Sequence, residues 1–179
     1  PPEISVSKTD NFNADGDLLI PDMGSWQMSD GNYTGTPMDG SSTARSLLQM
    51  TIHPAYMLEL ETTLLTQSAG GIVFDQYSPT DFKYAALSVN TGQVLIGHFT
   101  ERRGWVVDAV VTQSLSSGTS YLFAVTLLGS VATVSLDGVV VLTKAYNAMI
   151  IDGAYGLLSM GDSTTFDQLT VRTNDPAFN

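Results

Sequence analysis

"SYLFAVTLLGSVATVSLDGVVVL", residues 120–142, contains three runs of aliphatic and β-branched residues separated by two short turn signals. Gly129-Ser130 separates the first run from the second, and Asp137-Gly138 separates the second from the third. Glycine-containing dipeptides between runs of this type favour tight hairpin turns. The stretch therefore predicts a three-stranded antiparallel meander.

The two-residue periodicity of this meander extends through most of the chain after residue 45. In "YMLELETTLL", residues 56–65, Leu58, Leu60 and Leu64 fall on one face of a strand, and Glu59 and Glu61 fall on the other. Alternation of this kind is typical of a strand with one buried face.

We predict strands near residues 46–52, 56–66, 70–77, 82–89, 93–100, 105–112, 120–128, 131–142, 154–160 and 165–173. Asn90-Thr91-Gly92 is a hairpin turn signal, and the segment 102–104 is another. The Gly- and Asp-rich first 45 residues predict one strand around Ile4–Phe12, a short one at Ser25–Met28, and loops. The only helical element expected is a short turn near Tyr146–Met149. Strands at this spacing predict an all-β, two-sheet antiparallel sandwich.

Composition excludes several classes of partner. The chain has 179 residues, 43% of them hydrophobic, and we expect one domain over 1–179 with linker-like ends at 1–5 and 174–179. Eighteen acidic residues against seven basic ones give a net charge of −11, which disfavours nucleic acid and anionic membrane surfaces. Cysteine is absent, so disulfides and thiolate metal sites are excluded. No apolar run reaches the ~18 residues of a membrane span.

The order of motifs in the second half resembles a known superfamily. The meander at 120–142 is followed by "GAYGLLS" (153–159) and "TTFDQLTV" (164–171), as in the closing half of the concanavalin A-like lectin/glucanase superfamily, particularly its laminin-G-like branch. "FNADGDLL" (12–19) and "GSWQMSDGNYTG" (24–35) are similar to the opening of that branch.

This resemblance implies a jelly-roll sandwich of two antiparallel sheets. It also implies an extracellular or cell-surface accessory module that binds glycans, with neighbouring domains on the same long chain, as in large bacterial adhesins and secreted carbohydrate-active proteins. Members of the branch sometimes hold a structural Ca²⁺.

A candidate calcium loop lies in "NFNADGDLLIPD", residues 11–22. Oxygen-bearing side chains alternate before a glycine and recur at the twelfth position, which is the spacing of an oxygen-ligand loop with a sharp-turn glycine at position six. The candidate ligands are Asn11, Asn13, Asp15, Asp17 and Asp22. The alternative is an Asx-stabilised turn at Ala14-Asp15-Gly16. A second possible pair is Asp10 with Asp167, because first and last strands are neighbours in this architecture.

If calcium occupies this loop, the bound ion stabilises the folded chain by mass action. We then expect Tm to rise in millimolar Ca²⁺ and to fall when a chelator is added. An unchanged Tm in both conditions contradicts the calcium prediction.

Glycoside hydrolysis is the catalytic chemistry that the superfamily raises. Glu59 and Glu61 lie two apart on one strand, hence about 6.6 Å apart along it, which is in the range of a catalytic carboxylate pair. The glucanase motif resembles Glu-x-Asp-x-x-Glu, and here the central Asp and the third carboxylate are missing. His53 and His98 lie outside any nucleophile-elbow context, and phosphate-binding and dinucleotide motifs are absent. The sequence thus favours a non-catalytic module, with degenerate hydrolysis as a less favoured alternative.

A candidate glycan site combines two segments that consecutive hairpins bring near each other. Aromatic rings stack on sugar C–H faces, and charged side chains bind the hydroxyls. The candidate residues are Asp75, Tyr77, Lys83, His98, Arg102, Arg103 and Trp105. The alternative places Trp105 in the core and the two arginines in a solvated turn. A structural spacer without a ligand is the rival function.

Overall fold

The computed structural model describes residues 3–13 and 18–178, which form two antiparallel sheets. The strands are β1 (Val6–Asp10), β2 (Leu19–Met23), β3 (Ser25–Ser29), β4 (Asn32–Thr36), β5 (Thr43–Leu48), β6 (Leu58–Thr66), β7 (Ala69–Ser78), β8 (Asp81–Ser88), β9 (Gln93–Thr100), β10 (Gly104–Thr112), β11 (Tyr121–Leu128), β12 (Val131–Leu136), β13 (Val139–Ala145), β14 (Ala154–Met160) and β15 (Thr164–Thr173). A 3-10 turn follows at Pro176–Phe178. The predicted all-β sandwich is confirmed.

The strands of each sheet come from distant parts of the chain. Sheet A has the order β13-β12-β11-β6-β15-β4-β3, and β1 pairs with β15 beside β4. Sheet B has the order β10-β9-β8-β7-β14-β5-β2. The predicted meander forms β11, β12 and β13, and the predicted pairing of the first and last strands is found between β1 and β15.

The main core lies between the inner faces of the two sheets. In β6, Leu58, Leu60 and Leu64 are buried in this core, whereas Glu59 and Glu61 lie on the outer face of sheet A. Inner side chains of sheet B complete the same apolar cluster. The predicted alternation of β6 is therefore confirmed.

Sheet B is apolar on its outer face as well. A second cluster there consists of buried side chains from β7, β8 and β14, namely Val73, Phe82, Tyr84, Ala86 and Leu158. Because both faces of these strands are covered, β7 and β8 have almost continuous runs of buried residues.

Several glycines on sheet B have backbone in close contact with a neighbouring strand, among them Gly156, Gly97 and Gly71. A Cβ atom on Gly156 would lie 2.0 Å from the carbonyl oxygen of Ser46, and one on Gly97 would lie 2.3 Å from that of Val106. The Tyr84 hydroxyl would be 2.5 Å from the same Gly97 Cβ, so this ring lies across Gly97. No larger residue fits at Gly156 or Gly97 without a backbone shift.

The prediction of a helical turn near Tyr146–Met149 is wrong. The backbone N–H of Tyr146 donates to the carbonyl of Ser130, and that of Ile150 donates to Gly129, at 2.8 and 3.0 Å. These bonds tie the segment to the β11–β12 turn, so it forms no helical turn of its own. In the described part of the chain, no helix has the length and apolar character needed to cross a membrane.

Candidate functional site

Three aromatic side chains from consecutive strands lie side by side on the outer face of sheet B. Phe82 of β8 is opposite Phe99 of β9, which is opposite Trp105 of β10. Ring centroids are 5.4 Å apart for Phe82 and Phe99, and 5.0 Å apart for Phe99 and Trp105. Tyr84 meets Trp105 edge-on at 5.3 Å. Trp105 is 38% exposed, so the row presents an aromatic surface to solvent.

A cavity of about 260 Å³ opens beside this row, and we call it the aromatic cavity. Its lining residues are Met23, Gly40, Ser41, Ser42, Thr43, Arg45, Pro79, Thr80, Phe82, Phe99 and Trp105. The row supplies an apolar side, while the segments 40–43 and 79–80 supply hydroxyl and backbone groups. Apolar surface with a few convergent polar groups is typical of a small-molecule site.

Arg45 of β5 lies buried at this cavity, with 1% of its surface exposed. Its Nη1 donates to Gln76 Oε1 at 2.9 Å, its Nη2 donates to the Pro79 carbonyl at 3.0 Å, and its Cζ lies 4.3 Å from the centroid of the Phe82 ring. The Nε is buried without a hydrogen-bond partner. Burial lowers the pKa of this guanidinium, against the opposing charge of Asp22.

A second polar group occupies the inner face at the same end of sheet B, and we call it the end cluster. Lys83 and His98 lie opposite each other in adjacent strands. Lys83 Nζ donates to Asp75 in an ion pair, and His98 Nδ1 lies 2.8 Å from Asp108 Oδ2. Tyr146 donates its hydroxyl to the same Asp108 oxygen at 2.7 Å, and burial raises its pKa.

Asp75 is the most constrained member of the end cluster. It is 1% exposed, its φ is +50°, and it lies where the register of β7 shifts. Burial raises the pKa of its carboxyl against the opposing effect of Lys83. Its Oδ1 has no hydrogen-bond partner. Nearby, Tyr77 donates to Asp152 at 2.7 Å, which lowers the pKa of Asp152 and raises that of Tyr77.

The predicted ligand residues therefore fall into three groups. Asp75, Lys83 and His98 come together in the end cluster, with Tyr77, 58% exposed, at its margin. Trp105 lies on the opposite face of the sheet, at the aromatic cavity. The remaining two arginines are exposed in the β9–β10 turn, namely Arg102 and Arg103. Since side chains alternate along a strand, Lys83 and Phe82 face opposite ways, and one continuous surface does not form.

The candidate calcium loop is described only in part. Asp15 and Asp17 lie outside the described residues. Asn11 and Asn13 are exposed, and Asp22 accepts a hydrogen bond from Gln76 Nε2 at 3.1 Å. Calcium binding in this segment stays a prediction.

Asp10 and Asp167 have different surroundings. Asp10 accepts a hydrogen bond from the backbone N–H of Phe12 at 2.8 Å, within an Asx-type turn. It lies opposite Leu169 at the end of β1, while Asp167 lies at the irregularity of β15 and lines a shallow polar cavity of about 440 Å³. Within residues 3–13 and 18–178, no group of three or more His, Cys, Asp and Glu side chains is arranged to hold a metal ion.

Glu59 and Glu61 lie on the outer face of sheet A, away from the aromatic cavity. Arg172 bridges them, with Nη1 2.5 Å from Glu59 Oε1 and Nη2 3.2 Å from Glu61 Oε1. Thr126 donates its hydroxyl to the second oxygen of Glu59 at 3.2 Å. A cavity of about 470 Å³ adjoins Glu59, with Ile4, Met57, Thr126, Leu128, Val131 and Thr133 as its other lining residues. Its lining contains no aromatic ring, so it lacks the stacking surface of the aromatic cavity.

The predicted site residues did not include Phe82, Phe99 and Arg45. The aromatic row had a local signal, because the hairpin turn at Asn90-Thr91-Gly92 fixes which residues of β8 and β9 are opposite each other. Arg45 had only a weak signal, as a single basic residue within an otherwise buried strand. Its approach to the cavity depends on the long-range pairing of β5 with β14 and β2.

The sequence matches no family model and no curated protein. Among solved structures, it is similar to the carbohydrate-binding module CBM66 from Bacillus subtilis, with a TM-score of 0.74 and 15% identity over 87% of this chain and 97% of that one. It is also similar to a β-glucanase of Bacillus licheniformis, with a TM-score of 0.67 and 12% identity over 93% of this chain and 98% of that one.

A third similar structure is the galectin LEC-6 of Caenorhabditis elegans, with a TM-score of 0.54 and 12% identity over 77% of this chain and 94% of that one. Identities this low show the fold alone. The chain has the concanavalin A-like jelly-roll fold that its motifs resemble.

Proposed function

We propose that this chain is a non-catalytic glycan-binding module and that the aromatic cavity is its binding site. The observation that carries the proposal is the partly exposed Trp105 ring beside Phe99 at a cavity that hydroxyl groups also line. A sugar ring presents C–H groups on its faces and hydroxyls at its edge, so an aromatic surface next to Ser41 and Thr80 complements both. The cavity volume of about 260 Å³ is slightly below the roughly 300–1,000 Å³ of typical small-molecule sites, so it takes only a short terminal portion of a glycan.

The comparisons support a carbohydrate ligand. Two of the similar structures carry names for carbohydrate recognition, a carbohydrate-binding module and a galectin, and the third is named a β-glucanase. In our proposal, this chain binds a glycan and does not cleave it.

The arrangement of the carboxylates supports a non-catalytic role. A retaining or inverting glycosidase needs one carboxyl group to donate a proton and a second to act as nucleophile or base. Glu59 and Glu61 instead share the guanidinium of Arg172 on the outer face of sheet A, away from the aromatic cavity. Release of reducing sugar by this chain, lost on Glu59→Gln, would contradict the non-catalytic assignment.

We propose that the module lies outside the cell or at its surface, within a larger protein, as in the secreted and adhesin modules that its motifs resemble. The rival is a structural spacer, which needs no exposed aromatic ring at a cavity.

Truncating Trp105 tests the site. After a glycan array identifies a ligand, we expect Trp105→Ala to weaken its binding by about 1–3 kcal/mol, or about 5- to 150-fold, because the stacking surface is lost. Titration calorimetry measures the affinity, and Tm reports the fold. The fall in Tm should be modest, since the ring is partly exposed.

Val110→Ala is the matched control, since Val110 is 48% exposed on the same face of β10, outside the cavity lining. It should leave the affinity unchanged. If no glycan on the array binds, the structural spacer is favoured. If Trp105→Ala binds the glycan as tightly as the parent does, the aromatic cavity is not the binding site.

A further inference from the structure

Three hydrogen-bond donors at the aromatic cavity converge on a single weak acceptor. The Met23 sulfur lies 3.1 Å from Arg45 Nη2, 3.2 Å from Ser41 Oγ and 3.5 Å from Thr43 Oγ1. All four residues line the cavity. A thioether accepts hydrogen bonds only weakly, so these donors are poorly satisfied by it. Arg45 Nη2 also donates to the Pro79 carbonyl at 3.0 Å, and Ser41 Oγ also donates to the Thr43 carbonyl at 3.1 Å. Among the described residues, the Thr43 hydroxyl has the thioether alone as its acceptor.

The charge of Arg45 is likewise poorly compensated. It forms no ion pair among the residues that the structure describes, and its neutral acceptors are Gln76 Oε1 and the Pro79 carbonyl. Asp22 is reached only through Gln76, whose Nε2 donates to it at 3.1 Å. A buried charge without a charged partner costs free energy, which an incoming anionic group would recover.

Three basic residues lie at the cavity or in the turn beside it, among exposed acidic residues. Of its seven basic residues, Arg45 lies in the cavity lining, and Arg102 and Arg103 lie in the turn that leads into Trp105. The exposed acidic residues nearby are Glu101 in the same turn and the chain neighbours of three lining residues, namely Asp22, Asp39 and Asp81. A net charge of −11 repels polyanions in general, so binding of an acidic ligand would need such a local site.

We infer that the glycan bound here is acidic, and that the carboxylate of a uronic acid displaces the Met23 thioether and accepts hydrogen bonds from Arg45, Ser41 and Thr43. This inference rests on the proposed glycan-binding function. A carboxylate forms charge-assisted hydrogen bonds with a guanidinium, which are stronger than those of a thioether. Met23 is only partly buried and its side chain is unbranched, so it moves aside at low cost. The sugar ring then lies against Trp105.

Matched pairs of oligosaccharides test this inference. The probes are oligomers of galacturonate, glucuronate and mannuronate, each beside its carboxyl-reduced counterpart, which has the same linkage and no charge. We expect at least one acidic oligomer to bind tenfold or more tightly than its reduced form. Sulfated oligomers of neutral sugars are a third set of probes, because sulfate also binds a guanidinium.

Two variants locate the carboxylate. Ser41→Ala should weaken binding of the acidic oligomer several-fold and leave binding of neutral glycans unchanged. Met23→Ala should strengthen binding of the acidic oligomer several-fold, because the carboxylate then has no thioether to displace. Both avoid removing Arg45, whose bonds to Gln76 and Pro79 also support the fold. Arg102→Gln is the control for long-range attraction, and its effect should vanish in high salt.

The outcomes separate the inference from the proposed function. If reduced oligomers bind as tightly as acidic ones, the acidic-ligand inference is wrong and glycan binding stands. If sulfated oligomers bind and uronates do not, the carboxylate assignment is wrong. If no glycan binds, both the inference and the proposed function fail.

Discussion

Lys83→Met is expected to destabilise the fold by about 3 kcal/mol at pH 8, because it leaves the buried carboxylate of Asp75 without its cationic partner. The other carboxylate oxygen of Asp75, Oδ1, has no hydrogen-bond partner that would offset the loss. Urea denaturation at several pH values measures the loss.

The loss should depend on pH in a defined direction. Burial holds the pKa of Asp75 above its ordinary value, so the folded state binds this proton more tightly than the unfolded state does. The stability that this proton contributes is complete below the ordinary pKa and is lost as pH rises through the folded-state pKa. Without Lys83 that folded-state pKa rises further. The difference between variant and parent should therefore be small near pH 4 and grow toward pH 8.

Lys144→Met is the matched control, because Lys144 Nζ lies 5.6 Å from the Tyr146 ring and forms no ion pair within the described ranges. We expect it to cost little at either pH. A loss for Lys83→Met that is equal at pH 4 and pH 8 would contradict the role assigned to the ion pair.

Gly156→Ala should destabilise the chain by about 3 kcal/mol, near the upper end of the usual cost of overpacking. The new Cβ would lie 2.0 Å from the Ser46 carbonyl oxygen and 2.8 Å from Leu47 Cα, and these backbone atoms have no free space to move without disturbing the β5–β14 pairing. The midpoint of urea unfolding measures the effect.

Gly118→Ala provides the comparison. Gly118 has φ +79° and no atom within 4 Å of a built Cβ, so its substitution pays only for a left-handed backbone, about 1–2 kcal/mol. If the two variants lose the same stability, close strand contact at Gly156 is not what requires glycine there.

Local patterns were sufficient for much of the fold. The predicted strands at 93–100 and 154–160 coincide with β9 and β14, and Gly92 has the positive φ, +63°, that its hairpin turn requires. Strands β2 and β4 were missed, because β2 contains Pro21 and β4 consists of small polar residues around one tyrosine. Their pairing with β5 and β15 holds them in place, and no local pattern reports such contacts.

The candidate site was only partly predictable for the same reason. Trp105 is identifiable from sequence as an aromatic residue beside a basic turn, and hairpin register relates it to Phe99. Which face of the sheet each side chain occupies follows from alternation, and this separates Lys83 from Trp105. The position of Arg45 beside Phe82 arises from strands far apart in sequence, which a single sequence does not align.

The pairing of β1 with β15 also has a kinetic consequence. Val6 is opposite Thr173, and β6 at the centre of sheet A pairs with β15. This sheet is therefore complete only after nearly all of the described chain is available. Contacts between such distant residues require large loops to close first, and sandwiches of this kind fold in about milliseconds to seconds. During synthesis, β6 therefore lacks one of its two neighbours until the last strand has emerged.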